Sequence, residues 1–175
     1  MFVYSCRKGG KVLERLYRAH NRSIFKYIFY LVQNETIAKD LMQDTFLKAY
    51  RNYHHFRNEA SELTWLRKIA RNVVYDYLRR KRIIQFIPFI QSHEQIVQDS
   101  AIAYIVENEN RKELFYALSK LKVSYREVLV LRKIEQLSIE ETAEVLGWST
   151  DKVKNTQRAA LKALRGIWKG VEEDE

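Results

Sequence analysis

Apolar residues recur every three or four positions along the first half of the chain, the spacing typical of amphipathic helices. Residues Val12–Val32 are predicted to form one helix or a pair of helices. A further helix is expected after Asn34, a good N-cap, and should run to about Tyr53. A third helix is expected over Trp65–Arg82, with Thr64 as its N-cap.

The second half of the chain predicts shorter helices with well-marked starts. Residues Asn110–Leu121 are expected to form the first of them. Ser124 is followed by Glu127, and Ser138 by Glu141. Each pair predicts a capping box, in which the serine accepts from the N3 amide and the glutamate reaches back to the cap, so each should fix the start of a helix.

A helix-turn-helix is expected between Leu137 and Arg165. The helix from Ile139 should end at Gly147, which suits the left-handed position after a helix, and Ser149 can cap the helix that follows. A helix, a short glycine-containing turn and a basic helix are the parts of this motif. The residues expected to pack its two helices are Ile139, Ala143, Leu146, Val153 and Leu161.

The composition favours helices over sheets. The 175 residues include 5 glycines and 1 proline, too few for the turns of a sheet-rich fold, and 46% are hydrophobic, enough for a sizeable core. The proline lies in residues 83–101, where no period is visible. We therefore predict an all-α protein with two small helical domains, residues 12–82 and 102–170, joined by a linker, residues 83–101.

The chain carries a net charge of +9, and two segments hold much of the positive charge. Thr64–Arg82 contains seven basic residues and one acid, and Lys152–Lys169 contains six basic residues and no acid. A strongly basic small protein often meets a polyanion, either nucleic acid or an acidic membrane. Two separate basic helices therefore indicate two separate polyanion contacts.

Other features of the sequence restrict its location and its chemistry. The single cysteine, Cys6, cannot form an intrachain disulfide, which favours the cytoplasm. No apolar run approaches the roughly 18 residues of a membrane span, and no signal peptide is visible, so direct membrane insertion is not expected. The four histidines show no metal-ligand spacing, and neither a metal nor another cofactor is expected.

The basic helix of the helix-turn-helix offers side chains that can read DNA. Asparagine and arginine can each make two hydrogen bonds with a purine edge. Lys162 and Arg165, further along the helix, are expected to meet phosphate. An ordinary helical pair with a solvated basic face is the alternative. The side chains expected to be available to the major groove are Thr150, Asp151, Lys152, Lys154, Asn155 and Arg158.

The loop before the other basic helix combines aromatic and polar side chains, which suit an unstacked, single-stranded base. The alternative is that Tyr50, Tyr53 and Phe56 are core or rim residues. The loop residues concerned are Phe56, Arg57, Asn58, Glu59 and Ser61. The residues that share one face of the following helix are Lys68, Asn72, Tyr75, Asp76 and Arg79.

Asp40, Gln43 and Asp44 form an acidic spot in a basic protein. Their spacing puts both carboxylates near one face of a helix. They could be catalytic, bind a metal, meet a partner protein, or form a solvated face with Asp40 favoured near the helix N-terminus. A nuclease would need more, because no histidine, cysteine or third acid lies near them in sequence.

Two sets of motifs resemble those of the extracytoplasmic-function (ECF) sigma factors of bacterial RNA polymerase, over about Leu13–Trp168. In the first domain the motifs are Asp40–Phe46, Phe56–Arg57, Thr64–Leu66, Ile69–Asn72, Asp76–Tyr77 and Arg79–Arg80. In the second they are Tyr125–Leu129, Leu137–Gly147 and Val153–Lys154. The resemblance implies a sigma factor that binds core RNA polymerase and promoter DNA and directs promoter-specific transcription initiation, in a stress or envelope response.

The resemblance also implies roles for single residues. Asp40, Gln43 and Asp44 match the segment that docks on the polymerase clamp helices. An anti-sigma factor, often membrane-anchored, is implied as a further partner. The positions implied to bind the −10 element are Phe56, Arg57, Asn58, Ser61, Lys68, Asn72, Tyr75 and Arg79. Those implied to bind the −35 element are Ser149, Lys152, Lys154, Asn155, Arg158 and Lys162.

The chain departs from the family pattern after Val153. Two arginines expected there are replaced by Thr156 and Ala159, which leaves the preferred upstream DNA sequence open. A freestanding helix-turn-helix transcriptional regulator is the alternative function. Such a regulator would need only the second domain, and it would leave the first basic helix unexplained.

Overall fold

The computed structural model describes residues 3–57, 60–85 and 109–172. Every regular element in these ranges is helical, which confirms the predicted all-α class. The chain divides into two compact units, Met1–Glu94 and Gln95–Glu175. Each unit buries its own set of apolar side chains.

Three helices build the first unit: α1 (Val3–Val32), α2 (Glu35–Asn52) and α3 (Glu62–Gln85), with a short 3₁₀ segment at Tyr53–His55. α1 is a single helix and begins nine residues before the predicted start at Val12. It packs against both other helices, and α2 packs against α3. The fully buried residues of this core include Leu16, Ile24, Tyr27, Phe29, Leu66 and Val74.

Asn34 caps α2 as predicted. Its side-chain oxygen accepts a hydrogen bond from the Ile37 amide at 2.9 Å. The residue before it, Gln33, has a φ of 55°, and its amide donates to the carbonyl of Phe29 at 2.8 Å. This left-handed residue and the cap carry the chain from α1 to α2 within two residues.

The predicted N-cap of α3, Thr64, is wrong. The helix begins at Glu62, and the hydroxyl oxygen of Ser61 accepts from the Thr64 amide at 3.1 Å. The carbonyl of Ser61 also accepts from the Trp65 amide at 3.0 Å. Both Ser61 and Thr64 are good capping residues, and Thr64 instead lies buried in the first turn.

The end of α3 lies beyond the predicted end at about Arg82. The helix continues to Gln85, so residues 83–85 of the predicted linker are helical. The other linker residues, 86–101, lie outside the described residues.

The second unit contains α4 (Glu109–Lys120), α5 (Val123–Leu129), a π-helical segment (Val130–Ile134), α6 (Ile139–Leu146) and α7 (Thr150–Glu172). The long helix α7 packs against α4, α5 and α6. The helix-turn-helix predicted here is therefore formed by α6 and α7. Buried residues of this core include Phe115, Leu118, Val128, Leu131, Leu146 and Val153.

The capping box predicted at Ser124 is wrong. Lys122 occupies the N-cap position of α5 without a side-chain cap, and Ser124 lies in the first turn of the helix. Glu127 is completely buried, and no side-chain hydrogen bond caps the helix at Lys122. The tertiary environment of Glu127 overrides the local signal that the two residues present.

Arg126, the neighbour of Glu127, caps the end of α4. Its guanidinium donates to the carbonyls of Leu118, Ser119 and Leu121 at 2.9, 2.8 and 3.3 Å. Burial lowers the pKa of Arg126 to about 10, which still leaves the side chain charged at neutral pH. A cation at a helix C-terminus satisfies carbonyls that have no partner inside the helix.

The capping box at Ser138 is confirmed. Its hydroxyl oxygen accepts from the Glu141 amide at 3.0 Å, and the Glu141 carboxylate accepts from the Ser138 amide at 2.7 Å. α6 ends at Gly147, whose φ of 64° and ψ of 37° are left-handed as predicted. Of the packing residues predicted on α6 and α7, Ala143, Leu146 and Val153 are buried, and Ile139 and Leu161 are half-buried.

Candidate nucleic-acid interface

α7 buries one side in the second unit and exposes the other. Val153 and Ala160, seven residues apart, are fully buried. Ser149 caps the helix as predicted, its hydroxyl oxygen accepting from the Lys152 amide at 3.3 Å. The exposed residues at the cap and along the open side are Ser149, Asp151, Lys152, Lys154, Asn155, Arg158 and Lys162.

Two lysines near the start of α7 already have partners. Lys152 Nζ lies 4.3 Å from the centre of the Trp148 ring. Lys154 Nζ lies 3.6 Å from Asp151 Oδ1. Such surface contacts contribute little free energy, so a phosphate can replace them.

The side chains of Asn155 and Arg158 make no hydrogen bond or ion pair with any residue that the structure describes, so these side chains are available to a ligand. The helix that carries them is fixed by Arg132 of the π-helical segment. Its Nε donates to Gln157 Oε1 at 3.0 Å, and its Nη1 donates to the carbonyl of Leu137. The sequence does not predict the hydrogen bond between Arg132 and Gln157, because the two residues are 25 positions apart and no local pattern connects them.

The structure places Lys68, Asn72, Tyr75 and Arg79 on one face of α3, since their spacing follows the helical period. Asn72 and Arg79 are exposed, whereas Lys68 and Tyr75 are half-buried. Arg79 Nη2 lies 3.0 Å from Asp76 Oδ1, which neutralises part of the charge on this face. Four of the residues predicted to bind the −10 element are therefore brought together.

Three aromatic rings, those of Tyr53, Phe56 and Trp65, form a cluster near the start of α3, called here the aromatic cluster. The centre of the Phe56 ring lies 5.0 Å from that of Trp65 and 5.9 Å from that of Tyr53. All three residues are half-buried, so the cluster is partly open to solvent. Arg57 beside it is exposed, and Asn58 lies outside the described residues.

A polar network joins α1 to the same region. Arg15 forms a bidentate ion pair with Glu62, at 2.8 and 2.5 Å, and donates to the Tyr53 hydroxyl at 3.0 Å. His20 Nε2 lies 3.6 Å from the Glu62 carboxylate. The hydrogen bond from Arg15 lowers the pKa of Glu62, and the same bond raises the pKa of Arg15. Sequence reasoning missed this network because 47 residues separate Arg15 from Glu62.

The acidic spot lies on the solvent side of α2, where Asp40, Gln43 and Asp44 are all exposed. The opposite side of the helix is the apolar face that the sequence predicts. The buried residues on that side are Ala38, Leu41, Met42, Thr45, Phe46 and Ala49.

An open groove of about 380 Å³ between α1 and α2 adjoins the acidic spot. Two of its apolar side chains, Tyr17 and Leu47, are 41% and 48% exposed. Exposed apolar groups beside carboxylates suit a protein partner better than DNA, which would be repelled by the acids. The groove is lined by Leu13, Glu14, Tyr17, Gln43, Phe46 and Leu47.

The described part of the chain offers neither a metal site nor a membrane-spanning helix. No three histidine, cysteine, aspartate or glutamate side chains there lie close enough together to hold a metal ion. None of the helices described has both the length and the hydropathy needed to cross a membrane. Asp40 and Asp44 thus have no third ligand within the described residues.

Two family models match the chain. The one described as Sigma-70 region 2 matches residues 16–83, and the one described as Sigma-70, region 4 matches residues 111–164. The first match includes the acidic spot, the aromatic cluster and most of α3. The second includes α6 and most of α7.

Relatives align along most of the chain. RNA polymerase sigma factor YlaC of Bacillus subtilis (strain 168) is 37% identical over 166 residues, 93% of this chain and 95% of that protein. ECF RNA polymerase sigma factor SigX of the same strain is 33% identical over 160 residues, 89% of this chain and 82% of that protein. The chain belongs to the ECF sigma factors. It directs promoter-specific transcription initiation by RNA polymerase, and a freestanding regulator is not favoured.

The ECF sigma factor shares its fold with solved structures. The sigma factor RpoE from Bartonella quintana, solved with the anti-sigma factor NepR, matches with a TM-score of 0.71 and 23% identity, over 91% of this chain and 98% of that one. CnrH, solved with the cytosolic domain of CnrY, matches with a TM-score of 0.69 and 22% identity, over 92% and 90%. These likenesses support the helical fold of the sigma factor.

Proposed function

We propose that residues 102–170 of this sigma factor read the −35 promoter element through α7. Asn155 and Arg158 bind base edges in the major groove, where amide and guanidinium groups can each make two hydrogen bonds. Lys162, one turn further along α7, binds a backbone phosphate. Ser149 binds phosphate at the start of the helix. The observation that supports this role is the polar side of α7, open along the helix opposite Val153 and Ala160. Lys152 and Lys154 add positive charge on the same side.

Residues 12–82 bind the −10 element after its strands separate. The aromatic cluster is partly exposed, so it offers a stacking surface to an unstacked base. Asn72 offers a donor and an acceptor to the edge of that base. The residues proposed to complete this contact are Phe56, Arg57, Asn58, Ser61, Lys68, Tyr75 and Arg79.

The acidic spot binds the clamp helices of core RNA polymerase. Asp40, Gln43 and Asp44 are exposed, and the neighbouring groove presents the apolar side chains of Tyr17 and Leu47. Negative charge beside apolar surface complements a basic protein surface. The same charge would repel DNA, which supports a division of the molecule between polymerase and promoter contacts.

An anti-sigma factor keeps this sigma factor inactive until a stress or envelope signal releases it. RpoE and CnrH, the solved structures with a similar fold, are each in complex with another protein, which for RpoE is named an anti-sigma factor. An inhibitor of this kind has to cover the acidic spot or the basic DNA-binding faces. The protein acts in the cytoplasm, and it is a binding subunit without catalytic activity of its own.

Run-off transcription with core RNA polymerase tests the proposed function. Fragmented genomic DNA of the host serves as template, and the 5′ ends of the transcripts are sequenced with and without the protein. The protein should add a set of start sites that share −10 and −35 elements. The same start sites with core polymerase alone would contradict a role in promoter choice.

A further inference from the structure

Arg15 and Glu62 have no part in the contacts proposed above. Both nevertheless contact the hydroxyl of Tyr53, a member of the aromatic cluster. We propose that Arg15 and Glu62 are positioning residues that hold the aromatic cluster in place for base capture and so control how fast promoters open. This inference rests on the proposed −10 contact, and it adds residues that do not touch the DNA.

Tyr53 connects the two groups through its two ends. Its hydroxyl accepts from Arg15 at 3.0 Å and lies 3.3 Å from the Glu62 carboxylate. Its ring lies 5.9 Å from Phe56 and 6.0 Å from Trp65, measured between ring centres. The Tyr53 carbonyl also accepts from the Phe56 amide at 3.0 Å. A displaced Tyr53 would therefore move Phe56 through both the ring contact and the backbone.

Glu62 is the second connection between the ion pair and the aromatic cluster, because it is the first residue of α3, the helix that carries Trp65. It follows Ser61, whose side chain caps the helix, and precedes Trp65 by less than one turn. The backbone of α1 at Arg15 is held in place by packing, since the next residue, Leu16, is fully buried. The bidentate pair thus fixes the start of α3, and with it Trp65, against a packed helix.

The pair also removes an unfavourable charge near the proposed DNA site. A carboxylate in the first turn of a helix is favoured by the helix dipole, but it would repel an incoming phosphate. Arg15 balances the charge of Glu62 at a distance of 2.5 Å. Reversing the charge of Arg15 should therefore hinder base capture by displacement and by repulsion together.

The test uses full-length protein in the holoenzyme and follows the rate at which thymines of the −10 element become reactive to permanganate. Arg15→Glu should slow opening about fivefold, since a partly exposed ion pair contributes modestly and a like-charge contact adds repulsion. Arg18→Glu is the matched control, because Arg18 lies on the same helix and its one ion pair with a described residue is local, with Glu14 at 2.6 Å. It should open promoters at close to the normal rate.

Two further variants separate positioning from a loss of folding. The charge swap, Arg15→Glu with Glu62→Arg, should restore opening to within about twofold of the normal rate. Arg15→Lys keeps the charge but loses the bidentate geometry, so a defect of about twofold is expected even if Arg15→Glu fails to fold. Binding of each folded variant to core polymerase should be unchanged.

The outcomes distinguish this inference from the proposed site. Phe56→Ala and Asn72→Ala serve as references, since both belong to the proposed site. If they slow opening while Arg15→Glu matches Arg18→Glu, or if the charge swap restores nothing, the positioning role is wrong and the −10 site stands. If both references open normally, the −10 site itself is wrong, and the inference falls with it.

Discussion

Asn155 and Arg158 lie about one turn apart on the open side of α7, and Lys162 follows one turn later. An amide or a guanidinium can recognise a purine by two hydrogen bonds in fixed directions, whereas an ammonium group is a point charge. The first two residues should therefore carry sequence preference, and Lys162 should carry affinity alone. This division follows from side-chain chemistry once the helix exposes all three.

Replacing Asn155 or Arg158 by alanine should relax base preference in the −35 element. We expect a loss of about 1–3 kcal/mol of discrimination at one base position for each. Lys162→Ala is the control and should weaken binding to all sequences alike. The measurement is holoenzyme binding to a library of promoters varied in the −35 element. Identical preference profiles for Asn155→Ala and the unchanged protein would remove Asn155 from the base-reading residues.

The sequence predicts that these residues are exposed. Once Val153 is placed on the buried side of the helix, the helical period gives the positions on the opposite side. The sequence does not predict the partners that hold the site in place. Arg132 meets Gln157 across 25 residues, and Arg15 meets Glu62 across 47. Such pairs depend on how helices pack, which no local spacing encodes.

Helix ends show how far a local signal can be trusted. Ser138 and Ser124 are each followed three residues later by glutamate, yet only Ser138 forms a capping box. Glu141 is exposed and free to reach its cap, whereas Glu127 is completely buried. In this chain the motif marks a helix start where its carboxylate lies at the surface, and it fails where the carboxylate is buried.

Gly147 should be the sensitive glycine of the helix-turn-helix, because its φ of 64° is left-handed. Gly147→Ala should lower the free energy of unfolding by about 1–2 kcal/mol through backbone strain. Gly166→Ala is the matched control: this glycine lies within α7, and an added Cβ would have no atom within 4 Å apart from its own helix backbone and chain neighbours. It should stabilise the helix by about 0.5–1 kcal/mol. Urea unfolding followed by circular dichroism measures both, and equal effects of one sign would contradict the argument.

The ion pair between α1 and α3 should make stability depend on pH. Arg15 lowers the pKa of Glu62 below its ordinary value of 4.5, so the pair stabilises the fold above that value. The contribution, at most about 1 kcal/mol for a partly exposed pair, should disappear as the pH falls through the lowered pKa. Unfolding free energies of the unchanged protein and Glu62→Gln should differ near neutral pH and converge in acid. If the difference in unfolding free energy between the two proteins grew in acid, Arg15 would not be lowering the pKa of Glu62.

Across the whole molecule, the proposed contacts assign surfaces of opposite charge to two kinds of partner. The protein carries a net charge of +9, yet α2 presents two exposed carboxylates beside an apolar groove. The division into a helical domain and a helix-turn-helix could be predicted from periodicity and charge runs. The groove could not, because Tyr17 and Leu47 come from different helices and their exposure depends on the packing of α1 against α2.

Asp40→Arg combined with Asp44→Arg should weaken binding to core polymerase at least about tenfold, since two attractive contacts become repulsive. Glu113→Arg with Glu140→Arg is the control, because it makes the same change in net charge at two exposed positions of the second unit. Fluorescence titration of labelled sigma factor with core polymerase measures both affinities. Equal affinities for the two double variants would show that the acidic spot does not face polymerase.

This ECF sigma factor should recognise promoters as part of a holoenzyme. The helix-turn-helix is a single module, and such modules bury only about 600–1,000 Å² of protein surface on DNA. The −10 contact needs separated strands, which duplex DNA does not present. Alone, the protein should therefore bind a duplex promoter weakly, and increasingly weakly as salt is raised.

A promoter gel-shift at physiological salt, with and without core polymerase, tests this claim most directly. The DNA is a promoter identified by the 5′-end sequencing, and a scrambled fragment of equal length is the control. We expect a specific complex at nanomolar concentration only when core polymerase is present. Tight, specific binding by the protein alone, with nothing added by polymerase, would contradict the account.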